Sequence, residues 1–262
     1  MRRLCWCAWM MLPFAALAAE PAKAPPVCPS AEEKPDALAL MERTEKLLSG
    51  SSLVATMTME IKTPSWSRKL KMKAWTRGKD YALIRILEGG PREVGMMTLK
   101  REGQLWNYLP QAGRVMKLPS GMMGHSWLGS DLNNDDLVHG SSIAADYSSN
   151  VDGTVDQAGR KAWHVVLAPK PDAKVVWGKV EVLVDRETCV PLLQRFFDED
   201  GKPARTIALG DVKKIGWRSF PTRLTVTPAE TGRETTLVYD DAAFDVAIPD
   251  DTFSLHRLQQ GR

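Results

Sequence analysis

Residues 53–61 read Leu-Val-Ala-Thr-Met-Thr-Met-Glu-Ile, and residues 69–74 read Lys-Leu-Lys-Met-Lys-Ala. Apolar side chains recur at every second position in both runs, and a strand places alternate side chains on opposite faces of a sheet. The two runs therefore predict neighbouring strands that share one apolar face. Turn sequences separate nine further runs of strand character. These runs are 81–87, 96–100, 104–109, 162–167, 175–185, 191–198, 205–215, 217–227 and 234–239.

About eleven strands, one early helix and no alternation of strand with helix predict a mainly β fold. A single antiparallel sheet of this length curls. The expected architecture is a half-open β-barrel with an N-terminal helix and a helical or loop lid over an apolar cavity. The helix is predicted over 35–49, with Gly50 as its C-terminal cap. Its apolar face is expected to carry Leu38, Met41, Leu47 and Leu48.

A glycine-rich loop between residues 120 and 130 places large apolar side chains where soluble proteins usually keep polar ones. Its glycines disfavour regular structure, whereas methionine and tryptophan adapt to irregular apolar partners. The loop therefore predicts a mobile apolar flap, and we expect 35–49 and 122–128 to form the lid together. An acidic segment follows, and 131–147 is expected to form short helical turns.

Methionine and tryptophan are concentrated in the first half of the chain and in the flap. This excess favours a cavity for a hydrophobic ligand, because methionine-rich surfaces tolerate varied apolar partners. The alternative is that these side chains fill an ordinary core. The predicted ligand-binding residues are Met57, Met59, Met72, Trp75, Trp106, Tyr108, Met122, Met123, Trp127 and Leu128.

The first eighteen residues have the pattern of an export signal. Arg2 and Arg3 precede a mostly apolar run over 4–17, and Ala-Leu-Ala ends it. The run is shorter than the roughly 20 residues of a membrane-spanning helix, so we expect a cleaved signal peptide over 1–18 rather than a retained anchor. A proline- and alanine-rich arm over 19–34 and one domain over 35–262 complete the predicted organisation.

Charge and cysteine usage limit the partners of the exported chain. Loss of Arg2 and Arg3 lowers the formal charge from +3 to +1, which leaves no global basic field for nucleic acid. Cys28 and Cys189 remain. Two cysteines form a disulfide in an oxidising compartment if they meet, and the sequence leaves that question open.

Motifs for catalysis and metal binding are incomplete. Residues 124–129 resemble a nucleophile elbow, but the second glycine comes one position late and no α/β sheet is predicted. Asp131, Asn133 and Asp135 match the start of a calcium loop, whose next position should be glycine but is Asp136. We expect no catalytic residue, metal or cofactor. An enzyme acting on lipids stays an alternative, with His125 and Asp131 or Asp135 as its acid–base pair.

Three lysines alternate over residues 69–73 and should share one face of a strand. Such a row is usually a solvated outer face. The alternative is that it attracts an anionic lipid head group or a membrane surface.

Several motifs resemble those of the outer-membrane lipoprotein-sorting proteins, the LolA/LolB-like periplasmic carriers, in the divergent LolA-like branch. They occur in family order along most of the chain. They are Leu-Trp-Asn-Tyr-Leu-Pro at 105–110, Arg-Val-Met-Lys-Leu-Pro at 114–119, Ser-Trp-Leu-Gly-Ser-Asp at 126–131 with Asn-Asp-Asp-Leu at 134–137, Val-Asp-Arg-Glu-Thr at 184–188 through Pro-Leu at 191–192 to Phe-Asp-Glu-Asp-Gly-Lys at 197–202, and Ile-Pro-Asp-Asp-Thr-Phe at 248–253.

The resemblance implies a half-open antiparallel barrel whose lid covers bound acyl chains of a lipoprotein or lipid. It implies a monomeric, non-catalytic carrier in the periplasm that moves its cargo toward the outer membrane. The expected partners are the hydrophobic ligand, an inner-membrane transporter and an outer-membrane acceptor. A binding or adaptor module of an envelope export complex stays open as an alternative.

Overall fold

The computed structural model describes Cys28 and residues 34–139, 143–229 and 232–261. The predicted signal peptide and nearly all of the predicted arm lie outside these residues. Across the part that is described, thirteen antiparallel strands form one sheet. The strands are β1 (Ser52–Lys62), β2 (Ser67–Arg77), β3 (Tyr81–Glu88), β4 (Met97–Arg101), β5 (Gln104–Leu109), β6 (Arg114–Lys117), β7 (Tyr147–Gln157), β8 (Arg160–Pro169), β9 (Lys179–Asp185), β10 (Pro191–Phe197), β11 (Pro203–Ile215), β12 (Arg218–Pro228) and β13 (Glu234–Phe244).

The sheet is open, with β6 and β7 at its two edges. Its spatial order is β6-β5-β4-β3-β2-β1-β13-β12-β11-β10-β9-β8-β7. The mainly β, half-open architecture predicted from the sequence is confirmed, whereas a closed barrel is not formed. Strands β1 and β13, which are far apart in the sequence, pair at the middle of the sheet with Met59 opposite Leu237.

Two strands of the sheet have no counterpart among the eleven that the sequence predicts. Strand β6 has only four residues, and β7 reads Tyr-Ser-Ser-Asn-Val-Asp-Gly-Thr-Val-Asp-Gln. Edge strands are half solvated, so β7 buries only Tyr147 and Val151 and carries polar side chains elsewhere. Its apolar alternation is too weak to distinguish the strand from a loop.

The helices are short, and several 3₁₀ turns accompany them. None of the helices in the described ranges is long and apolar enough to cross a membrane. The predicted turns over 131–147 are confirmed by α2 and α3. The helices are α1 (Ala37–Ser49), α2 (Asn134–His139), α3 (Ile143–Asp146) and α4 (Leu255–Gln259), and the 3₁₀ turns are Pro110–Ala112, Ser120–Met122 and Asp250–Phe253.

Helix α1 begins at Ala37 because Asp36 caps it, accepting a hydrogen bond from the Ala39 amide at 2.8 Å. Gly50 ends it with a positive φ of 63°, which glycine adopts without strain. The helix buries Leu40 and Met41 against the sheet. Leu38 is exposed, contrary to the predicted apolar face, since it lies two residues before the buried Leu40 and therefore on nearly the opposite side of the helix.

Different segments of the chain pack on the two faces of the sheet. The inner face, which carries Met72 and Val182, lies under α1 and the residues that follow β6. The outer face carries Leu83 and Leu99, and a C-terminal segment over 248–261 packs on them through Phe253 and Leu258.

A disulfide joins Cys28 to Cys189, with the two Cα atoms 5.6 Å apart. This answers the question that the sequence leaves open. Cys189 is buried in the turn between β9 and β10, and its carbonyl oxygen accepts a hydrogen bond from the Thr44 hydroxyl of α1 at 3.3 Å. The disulfide therefore fixes the chain before α1 to the same turn that α1 contacts.

Candidate ligand-binding face

The inner face is a continuous apolar surface from β3 across the middle of the sheet to β8, whereas β4 presents the polar Thr98 and Lys100 on this side. Its side chains lie opposite one another across the strands, as Met57 lies opposite Met72 and Val165 opposite Val182. Residues paired in this way point to the same side of an antiparallel sheet. The buried members are Leu53, Ala55, Met57, Met59, Ile61, Leu70, Met72, Ala74 and Ile86 in the first half and Trp163, Val165, Leu167, Val180, Val182, Val184, Phe196, Ile207, Leu209 and Val226 in the second.

Residues 118–139, which we call the lid segment, cross this face. Trp127 is buried among the methionines of the first half. Its indole N–H donates to the Thr98 hydroxyl of β4 at 3.2 Å, which satisfies the one polar atom of the ring. Leu132 contacts the apolar clusters of both halves of the inner face. The lid segment therefore joins the two halves of the inner face.

A hydrogen-bonded frame shapes the turn that carries Trp127. The Asn134 side-chain amide donates to the carbonyl oxygens of Met122 at 3.0 Å and His125 at 3.1 Å. The Trp127 amide donates to the Leu132 carbonyl oxygen at 2.8 Å. The glycine-rich loop predicted as a flap is thus ordered by polar contacts, and its apolar side chains face the sheet only at Trp127 and its neighbours.

A buried ion pair holds the end of the lid segment on the second half of the sheet. Arg205 of β11 donates to the Asp136 carboxylate at 2.7 Å and to the Asp131 carbonyl oxygen at 3.1 Å. Its guanidinium also lies over the rings of Trp177, at 4.6 Å, and Phe196, at 4.4 Å. A guanidinium is suited to this position because it binds a carboxylate in its plane and aromatic rings on its faces.

Further polar contacts hold the lid segment at other strands. Asp131 accepts from the Arg233 guanidinium at 2.8 Å and from the Thr235 hydroxyl of β13 at 2.7 Å. Lys100 of β4 donates to the Val138 carbonyl oxygen at 2.6 Å. Burial lowers the pKa of Lys100 to about 8.

Helices α1 and α3 meet at a titratable group. The Glu45 carboxylate of α1 accepts a hydrogen bond from the Ala144 amide of α3 at 2.7 Å. Burial raises the pKa of Glu45 from its ordinary value of 4.5 to about 7, and the nearby Glu42 adds to the increase, while the Ala144 amide opposes it. The contact between α1 and the residues after the lid segment therefore changes charge near neutral pH.

The structure brings together five of the ten predicted ligand-binding residues. Met57, Met59, Met72 and Trp127 are buried on the inner face, and Leu128 packs against them. Within the lid segment, Met122 is exposed and Met123 is half-buried.

The remaining three predicted residues, Trp75, Trp106 and Tyr108, lie on the outer face around Leu99. The cause is the pleat of the strands, because Trp75 follows Ala74, which is an inner-face residue. These three aromatic side chains and the inner-face methionines are therefore separated by the thickness of the sheet.

Several inner-face residues were missed by sequence reasoning. Val165 and Val182 each have a polar neighbour on one side and an apolar neighbour on the other, so alternation alone does not assign their face. Leu132 and Arg205 gave no signal of this kind, because their roles depend on contacts between segments far apart in the chain.

The acid–base pair of the enzyme alternative is not assembled at Asp131. His125 is exposed, whereas the Asp131 carboxylate is held by Arg233 and Thr235. The Ser126 hydroxyl donates to the Ser130 carbonyl oxygen of its own turn. Among the residues that the structure describes, no group of three or more His, Cys, Asp and Glu side chains is arranged to hold a metal ion.

A separate, polar pocket of about 470 Å³ lies on the outer face at β7, β8 and β9. At this pocket His164 stands between Asp152, 3.6 Å from Nδ1, and Glu181, 3.5 Å from Nε2. Glu181 is also paired with Lys179 at 3.0 Å. Polar and charged side chains line this pocket, which distinguishes it from the apolar inner face.

A family model described as an uncharacterized protein matches residues 78–260. The chain belongs to this family. Among curated proteins, none matches the chain in sequence.

Several solved structures share the fold of this chain. One of them comes from Vibrio parahaemolyticus and is assigned as an outer membrane lipoprotein-sorting protein domain. It is 20% identical to this chain, with a TM-score of 0.77 over 85% of this chain and 98% of its own. A DUF1329 family protein from Desulfovibrio piger is 19% identical, with a TM-score of 0.78 over 84% of this chain and 97% of its own.

A LolA superfamily protein from Nitrosomonas europaea is 18% identical, with a TM-score of 0.73 over 86% of this chain and all of its own. The fold is therefore LolA-like. The resemblance inferred from the ordered motifs is confirmed.

Proposed function

We propose that the protein is a non-catalytic carrier that binds acyl chains of a lipoprotein or lipid between the inner face and its lid. The observation that carries the proposal is the continuous apolar inner face beneath the lid segment. The LolA-like fold supports it, since one neighbour is assigned to outer membrane lipoprotein sorting.

The energetics of acyl chains fit such a face. Burial of one methylene stabilises by about 0.8 kcal/mol. A dozen methylenes on the inner face would thus contribute roughly 10 kcal/mol before the cost of ordering the ligand and the protein.

The contacts between the lid segment and the sheet are of a kind that allows the lid segment to open reversibly. Trp127 and Leu132 cover apolar surface, while Asp131, Asp136 and Lys100 provide polar contacts with the sheet. When the lid segment leaves the sheet, water can hydrate the separated ions and offset part of the lost attraction. An acyl chain can then take the place of the apolar lid side chains.

The proposed location is the periplasm, after removal of a signal peptide over 1–18 and with the arm over 19–34 preceding the carrier domain. The Cys28–Cys189 disulfide supports an oxidising compartment. An inner-membrane transporter as donor and an outer-membrane acceptor belong to the same proposal, with cargo moving toward the outer membrane.

The deciding experiment is native mass spectrometry, with organic extraction, of protein exported to the periplasm and purified without detergent. A bound species with the mass of an acyl lipid or lipopeptide is the expected result. A ligand-free protein that also fails to take up a fluorescent fatty acid would contradict the carrier proposal and favour the adaptor module.

A further inference from the structure

The outer face of β2 and β3 carries a grid of cations. Lys69, Lys71 and Lys73 occupy alternate positions of β2, and Arg85 lies directly opposite Lys73 on β3. Alternate residues along a strand are about 7 Å apart, and neighbouring strands are about 5 Å apart. We call these four residues, together with Trp75, the basic face.

Carboxylates neutralise only part of the basic face. Lys71 pairs with Glu88 at 3.6 Å. Throughout the described ranges, no carboxylate oxygen lies within ion-pair distance of Lys73 or Arg85. Like charges directly opposite each other weaken a sheet, so the Lys73–Arg85 pair costs stability that an external anion would recover.

Aromatic rings accompany these cations. The Lys73 ammonium lies 5.3 Å from the centre of the Trp75 ring. Nearer the sheet edge, the Lys117 ammonium lies 5.8 Å from the Trp106 ring. Tryptophan beside lysine is typical of surfaces that contact lipid head groups, where the ring enters the interface and the ammonium remains at the phosphates.

The borders of the basic face are set by other elements. The C-terminal segment covers the outer face at Leu83 and Leu99 and pairs Arg77 with Asp250. On the other side, Glu60 of β1 lies directly opposite Lys69, and Asp240 of β13 accepts from the Thr58 hydroxyl at 2.7 Å. Between these borders, Lys69 is exposed and Lys73 and Arg85 are half-exposed.

We propose that the basic face docks the protein on the surface of an anionic lipid bilayer. A bilayer presents phosphates in a plane, which matches cations spread in two directions over neighbouring strands. The docking surface lies on the opposite side of the sheet from the lid segment, so it is separate from the face proposed to hold acyl chains.

Flotation with lipid vesicles tests this docking. The full chain, as exported and purified, is mixed with vesicles of phosphatidylcholine alone or of phosphatidylcholine with phosphatidylglycerol. Binding is expected only to the vesicles that contain phosphatidylglycerol, and it should weaken as salt is added, because salt screens the surface potential.

Two matched double variants distinguish the contribution of the basic face from the effect of net charge. Lys73→Gln with Arg85→Gln should weaken vesicle binding about fivefold for each cation, or about 25-fold together. Lys213→Gln with Lys214→Gln removes two exposed lysines of β11 and should leave binding unchanged. The first pair should not lower the melting temperature, since it removes a like-charge contact.

The proposal would be overturned if the two double variants bound anionic vesicles equally well. It would also be overturned if the wild type bound only the neutral vesicles. Failure of the wild type to bind anionic vesicles while it binds polyglutamate in a salt-dependent way would assign the basic face to an acidic protein instead. Uptake of a fluorescent fatty acid, measured in parallel, reports on the inner face and is expected to be the same in both variants.

Discussion

Arg205 is a buried cation enclosed by two aromatic rings, a carboxylate and a carbonyl oxygen of the lid segment. Its stability in the folded protein depends on Asp136, because a guanidinium that has lost water needs a negative partner. Arg223 of β12 differs, since its side chain and that of its partner Asp211 are both about half exposed.

Asp136→Asn should therefore lower the free energy of unfolding by about 3–5 kcal/mol, because it leaves the Arg205 charge without a partner. Arg223→Gln, the matched control, should lower it by about 1 kcal/mol or less, because its ion pair is exposed to solvent. Urea unfolding followed by circular dichroism measures both. Similar losses in the two variants would contradict the assigned role of Arg205.

Glu45 gives the contact between α1 and α3 a pH dependence. Its folded-state pKa of about 7 lies above its ordinary value of 4.5, so the protonated form is favoured by folding. The stabilisation is present in full below pH 4.5 and is lost as the pH rises through 7. The change should amount to roughly 1–3 kcal/mol.

Glu45→Gln keeps an oxygen that can accept from Ala144 but cannot ionise. The variant should lose this pH dependence and should be more stable than the wild type at pH 8. Denaturant unfolding at pH 5 and pH 8 provides the measurement. An unchanged slope of stability with pH in the variant would assign the titration to another group.

At the scale of elements, the lid segment acts through Leu132, which contacts both halves of the inner face. Leu132→Trp should fill the space between lid and sheet and weaken binding of a fluorescent fatty acid about tenfold, since overpacking costs 1–3 kcal/mol. Met116→Trp, at an exposed position of β6, is the matched control and should bind normally.

Leu132→Ala completes this test because it enlarges the space and should retain probe binding. Equal loss of binding in Leu132→Ala and Leu132→Trp would show that the leucine stabilises the lid rather than bordering the ligand.

The strands were largely predictable because their apolar side chains recur at every second residue, as in β1 and β2. The face of Trp75 was also predictable, since it lies three residues from Met72 in one strand and the pleat puts the two on opposite faces. The face of Trp106 was not, because it depends on the pairing of β5 with Leu99 of β4. Trp127 was predictable as a lid residue, but its hydrogen bond to Thr98 requires the fold.

At the scale of the whole molecule, the Cys28–Cys189 disulfide closes a loop over 161 residues of sequence separation. Replacing both cysteines with serine should lower the free energy of unfolding by about 2–5 kcal/mol. Guanidinium unfolding measures the change. Reductant should destabilise the wild type by a similar amount and leave the double variant unaffected, and a wild type insensitive to reductant would contradict this expectation.

The pairing of β1 with β13 at the centre of the sheet has a consequence for the order of events during synthesis. One edge of β1 has no partner until residues 234–244 have been made, close to the end of the chain. The two halves of the sheet therefore pair only after β13 has been made. Until then β1 presents a free strand edge to other chains, so a polypeptide cut before residue 234 should aggregate through this edge.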